Sequence, residues 1–192
     1  MIALIGNRPA LQVGRHQVHD YDTGWLLDAL HRAAQAAEKD DFPFLDEIAR
    51  GVEEYLESRC PLQLLPLPSL FDKIRLMLEK IGCGGIAAKL EPLAPPVTLS
   101  LAEAAREVGE GFELGFFTHI RREIEELQSA GAEEVRFTGL KDAVLHLCRR
   151  DHWDAACDQL SRELHEFLRR HHREQDHLSR PLRMELENQR IE

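Results

Sequence analysis

The chain has 192 residues, 43% of them apolar and 30% charged, with a formal net charge of −10 and few aromatics (6%). A globule of this size removes roughly 70% of its unfolded surface from water, so one core or two small ones can form, and the composition excludes global disorder. The acidic balance argues against a nucleic-acid partner, because affinity for a phosphate backbone comes from clustered Lys and Arg that displace counterions.

Met1 to Pro9 carries no basic start and only a short apolar run, which predicts no secretory leader. No stretch reaches the ~18 apolar residues needed to cross a bilayer, so no membrane span is expected and the cytoplasm is the default location. Cys60, Cys83, Cys148 and Cys157 are widely spaced without a CxxC pair, which points to reduced, mostly buried thiols.

Residues 2 to 19 alternate loosely, with turn chemistry at Gly6-Asn7-Arg8-Pro9 and again at Gly14, and predict a short hairpin or ribbon. From Trp25 onward Leu26, Leu27, Leu30, Ala33, Ala34 and Ala37 recur at helical spacing behind Asp22 or Thr23 as N-cap. A second helix follows Asp41-Phe42-Pro43, its apolar face made by Leu45, Ile48, Ala49, Val52, Tyr55 and Leu56, and it ends near Arg59. "CPLQLLPLP" holds three prolines and reads as an apolar connector. Ser69 with Asp72 then resembles a capping box for a helix that stops at Gly82, and a short helix is expected over Ile86 to Leu90. Residues 92–99, with Pro92, Pro95 and Pro96, read as a linker.

The second half restarts at Ser100 with Glu103 as a capping box and a helix to about Val108. A longer helix follows, whose first turns contain Gly111 and Gly115. Each costs about 1 kcal/mol relative to Ala, an expense that close packing of a neighbour would offset. "EEVRF" suggests a brief strand. Thr138 caps a helix over Leu140 to Arg149, and Asp151 with Asp154 opens the last one, which carries Leu160, Leu164, Phe167 and Leu168. The expected architecture is therefore mainly α: a hairpin-plus-helix domain over 1–91, the linker, a second α-helical bundle over 100–170, and a mobile charged tail over 171–192.

Tyr21-Asp22 with Leu26, and "SLFDKIRLMLEKIGCGGIAAKL" further on, carry a resemblance to the ATP-cone, the nucleotide-sensing module of ribonucleotide reductases and of the repressor of their genes. The resemblance covers residues 1–91 and implies a hairpin lid over the first helix, with ATP or dATP as ligand. In that family a Lys-Arg pair on the hairpin and a Lys three residues after the Asp meet the triphosphate. Here the pair falls on Gly6-Asn7 or, shifted by one, on Asn7-Arg8, the hairpin is longer, and Trp25 replaces the helix lysine. Arg8, Arg15, Trp25 and Lys89 are the nucleotide-site candidates that the resemblance leaves.

A triphosphate needs several converging donors, so the loss of two cations points instead to a non-catalytic regulatory or interaction protein with a protein partner. Phe112, Phe116 and Phe117 in "FELGFF" span more than one helical face and are the candidate partner-binding residues. A third reading, a helical metal-dependent enzyme, would use His146, Cys148, His152 and Cys157, since Cys148 and His152 stand one helical turn apart, although the break before Asp151 leaves their shared face open and no metal is expected. "GCGGIAAK" lacks the Gly before its lysine and the Ser or Thr after it that a phosphate-binding loop requires, and reads as a helix stop.

Overall fold

The computed structural model describes residues 8–110, 112–174, 181–187 and 189–191. The expected turn residues Gly6-Asn7 and Gly111 lie outside them. Mainly α is the observed class: among the described residues there are eight helices and seven short strands, in two compact units that divide between Pro95 and Pro96. No described helix is long and apolar enough to cross a membrane.

The first unit opens with strand β1 (Ala10–Val13) and strand β2 (His16–Val18), an antiparallel pair joined at Gly14-Arg15, where Gly14 takes φ +58°. Helix α1 (Gly24–Ala36) buries Trp25, Leu26, Ala29, Leu30, Ala33 and Ala34, as its spacing dictates. Helix α2 (Leu45–Ser58) turns Ile48, Ala49, Val52 and Leu56 inward.

Strand β3 (Leu64–Pro66) pairs parallel with β1, so the proline-rich connector supplies the third strand of a small sheet rather than a plain crossing. Helix α3 (Leu67–Lys80) begins directly after it, two residues ahead of Ser69. The Ser69–Asp72 box is thus not its cap. Pro66 precedes the helix and Pro68 sits in the first turn, where a missing N–H costs nothing. Helix α4 (Gly84–Ala87) is shorter than expected and ends before Leu90. Its neighbour Leu90 offers its carbonyl to Arg75, which donates through Nε at 3.0 Å and through a second nitrogen at 2.8 Å.

The second unit is not the helical bundle that its sequence suggests. It holds strand β4 (Val97–Ser100), helices α5 (Leu101–Val108) and α6 (Glu113–Ser129), strand β5 (Glu134–Thr138), helices α7 (Leu140–Cys148) and α8 (Ala155–Glu174), and strands β6 (Arg183–Leu186) and β7 (Gln189–Arg190). The sheet order is β4-β5-β6-β7, parallel for the first three strands and antiparallel for the last. Two β-α-α segments therefore follow one another, each ending on the next strand.

One face of this sheet is core: Val97, Leu99, Val135, Phe137, Met184 and Leu186 are buried. The other face is polar, with Arg136 within 2.7 Å of Glu134 and 3.4 Å of Glu185, and Arg183 within 3.2 Å of Glu134. Parallel strands usually read as continuous apolar runs because both faces are covered, and these alternate instead.

The described residues of the segment expected as a mobile tail, 171–174, 181–187 and 189–191, are part of this unit, and 175–180, 188 and 192 lie outside the described residues. Residues 171–174 complete α8, and Leu182, Met184, Leu186 and Ile191 are buried. Glu187, at φ +47°, accepts a hydrogen bond from the Leu140 amide at 2.9 Å and so caps α7 from the β6–β7 turn, whereas α5 is capped by its own Ser100, whose Oγ accepts from the Glu103 amide at 3.2 Å. Asp154 caps α8 by accepting from the amides of Ala156 and Cys157, both at 3.0 Å. Gly115 meets the expected neighbour: a Cβ there would lie 3.1 Å from Val108 Cγ1.

Candidate functional site

Tyr21 and Trp25 join the front of α1 to the first sheet. The Tyr21 hydroxyl donates to the Pro9 carbonyl at 2.8 Å, and burial pushes its pKa up to about 12 against the opposing pull of Arg8. Asp22 Oδ1 accepts from the Gly24 amide at 2.8 Å and starts the helix. Trp25 is only 6% exposed; its Nε1 donates to the Asp22 carbonyl at 2.7 Å, and its ring lies 6.5 Å from Tyr21, edge-on, and 6.1 Å from Phe71.

Arg8 is the cation nearest this cluster, and it is engaged. Its Nε donates to Glu57 Oε1 at 3.0 Å, one terminal nitrogen donates to Glu53 Oε1 at 2.7 Å and also to Glu57, and the other reaches the Tyr21 carbonyl at 3.1 Å. The Glu57 hydrogen bond, joined by Glu53, raises the guanidinium pKa further in spite of partial burial. Solvent-screened pairs of this kind are each worth about 0.2–1 kcal/mol, and an anionic ligand at Arg8 would still have to displace two carboxylates.

Of the four nucleotide-site candidates, the described contacts bring Arg8 and Trp25 together through Tyr21. Arg15 is exposed in the β1–β2 turn and Lys89 is exposed after α4. Glu53 and Glu57 were not legible as site residues. Their i,i+4 spacing was the available signal, since it places two carboxylates on one face of α2 where a guanidinium fork can span them. Lys39 also escaped notice: its Nζ would lie 3.9 Å from a Cβ built on Gly85, over the start of α4.

The partner-binding candidates separate. Phe116 is fully buried, which corrects its assignment to a surface; the helical period puts it on the same inward row as Ile120, Ile124 and Leu127. Phe117 is half-buried, its ring 5.9 Å from Phe116 and 5.1 Å from Phe167, with the Arg121 guanidinium 5.7 Å above Phe167. Phe112 remains outward at 66% exposure, beside Leu114 at 85%.

Among the described residues no group of three or more His, Cys, Asp or Glu side chains converges to hold a metal. Cys148 and Cys157 do face each other across the α7–α8 connection. Burial first, and the neighbouring Cys157 thiol next, push the Cys148 pKa up to about 11. Since the thiolate is the nucleophile, roughly one molecule in 10⁴ would be reactive at pH 7. Cys148 should therefore alkylate with iodoacetamide far more slowly than free cysteine at pH 7, and the two rates should approach each other near pH 11. Mass mapping of labelled peptides over time checks this, and a rate at pH 7 equal to that of free cysteine would contradict it.

Comparison with family models, with curated proteins and with solved structures returned no match to this chain.

Proposed function

We propose that the chain is a non-catalytic regulatory or protein-interaction protein whose first unit is an altered ATP-cone-like scaffold. The observation that supports this most is the engagement of Arg8 by Glu53 and Glu57, near the buried indole of Trp25, which the resemblance aligns with the family's helix lysine. A triphosphate carries up to four negative charges, and Arg8, which the described contacts place beside Tyr21, is already held by two acids. The working surface is then the apolar start of α6, where Phe112 and Leu114 stand exposed.

Two measurements test this reading. ATP and dATP at millimolar concentration should leave the melting temperature of the full chain unchanged. A ligand at 100 times its Kd adds about 2.7 kcal/mol, a rise of several degrees, so a shift that disappears in Arg8→Ala would replace this proposal with nucleotide sensing. The double variant Phe112→Asp with Leu114→Asp should fold, because both side chains are exposed and aspartate suits the helix-start position of Phe112. It should lose the partner that the parent chain retains under identical cross-linking conditions. Retention of every cross-linked partner would count against the surface.

A further inference from the structure

A groove of about 290 Å³ runs between α2 and α3, lined by Gly51, Val52 and Tyr55 on one side and by Lys73, Ile74 and Met77 on the other. Its size is at the lower end of small-molecule sites, and its lining is apolar apart from the two polar tips, as such sites are. Burial first, and the neighbouring Cys60 thiol next, raise the Tyr55 pKa. Lys73 forms no hydrogen bond or ion pair among the described residues, and the acid next to it, Asp72, is held by Arg75 at 2.8 Å. One cation is thus left to answer whatever enters.

Gly51 is a second and independent sign. It lies in the middle of the 14-residue α2, where glycine costs about 1 kcal/mol relative to alanine. Neither usual reason for keeping it applies: its φ is not positive, and a Cβ built there would meet nothing within 4 Å. Gly115, by contrast, is fixed by Val108 at 3.1 Å. What a side chain at position 51 would change is the groove, by narrowing it. Stability given up where it keeps a cavity open is the mark of a binding position.

We propose that this groove binds a small amphiphile with an apolar body and a single anionic head, a medium-chain or aryl carboxylate, whose head pairs with the Lys73 ammonium. The apolar walls supply affinity through burial, and Lys73 supplies the preference for a carboxylate over a neutral or cationic head. This site lies on α2 and α3 and does not depend on whether nucleotide is bound.

The test is calorimetric titration of the full chain with decanoate below its micelle concentration, beside decanol and decyltrimethylammonium. Decanoate should bind at least fivefold more tightly than decanol, and the cation should not bind. Lys73→Met should bring decanoate down to the decanol level while leaving decanol unchanged. Gly51→Leu should fold, with a melting temperature equal to or above that of the parent, and should bind neither. Equal affinity for decanoate and decanol in the parent chain, or undiminished decanoate binding in folded Gly51→Leu, would overturn the proposal. So would the absence of amphiphile binding together with a change of oligomeric state in Gly51→Leu, which would assign the groove to a protein surface.

Discussion

Trp25→Ala should lower the stability of the first unit by about 3–5 kcal/mol, the range for removing a large aromatic from a core. The ring is 6% exposed and stands between Tyr21 and Phe71, and its loss also strips the Asp22 carbonyl of its 2.7 Å donor at the start of α1. Trp25→Phe separates the two contributions. It keeps most of the apolar volume and leaves the carbonyl unsatisfied, so about 1–3 kcal/mol should be lost. Trp25→Lys, which restores the residue of the resembling family, should cost more than Trp25→Ala, because an ammonium would enter an apolar site walled by Tyr21 and Phe71. Urea unfolding followed by circular dichroism reads all three as midpoint shifts at constant slope. A loss below 1 kcal/mol for Trp25→Ala would mean that the indole is dispensable packing. The space beside Tyr21 would then be free for a ligand, and the altered-scaffold reading would lose its support.

How far the fold was legible depended on whether its interactions were local. α1 and α2 could be read because Leu26, Leu30 and Ala33, or Ile48, Val52 and Leu56, repeat at intervals of three and four residues, and such a stripe forms a helix wherever it finds a core. Ser100 and Asp154 were legible as caps for the same reason, since their partners lie two or three residues away. The parallel sheet of the second unit was not. Val97 pairs with Val135 and Glu134 with Arg183, separations that no local window contains. Three features hid it further: β4 has four residues directly behind Pro95-Pro96, β6 follows a run of charged residues, and the outward Thr98, Arg136 and Glu185 interrupt the apolar run of a fully covered strand.

The candidate sites divide along the same line. Arg8 was named through the resemblance, but acids at i and i+4 such as Glu53 and Glu57 look like any solvated helix face until a guanidinium is placed over them. Three phenylalanines within six residues announce an apolar helix start. Which of them faces out depends on where α6 begins, and that is set by Phe112 standing outside the first turn. The same helix start joins the two themes of the second unit: Gly115 lets Val108 approach, α5 and α6 pack closely, and Phe112 and Leu114 are left at the surface as the consequence.

Gly139→Val should cost the second unit about 2–6 kcal/mol, combining a backbone and a packing penalty. Gly139 sits between β5 and α7 at φ +73° and ψ 31°, the left-handed region, which costs a residue with a side chain about 1–3 kcal/mol and a β-branched one most. A Cβ there would lie 3.1 Å from Ala102 Cβ and 3.4 Å from the Ala102 amide nitrogen. Part of that obstacle is backbone in the first turn of α5, which cannot rotate away, so overpacking adds a further 1–3 kcal/mol. The first β-α-α segment needs no such glycine, because Ser100 leads directly into Leu101 and caps α5 itself. The second inserts Gly139 and takes its cap from Glu187, so any shift of this turn also pulls the Leu140 amide from its acceptor. Two readouts follow. The urea midpoint should fall, and the Leu140 amide should exchange with solvent faster relative to the Glu103 amide, whose cap on α5 comes from Ser100. Gly139→Ala should show the same pattern at smaller amplitude. A valine variant within 1 kcal/mol of the parent would mean that α5 and α7 can slide apart at this point, and the close contact of the two segments would not be what holds the unit together.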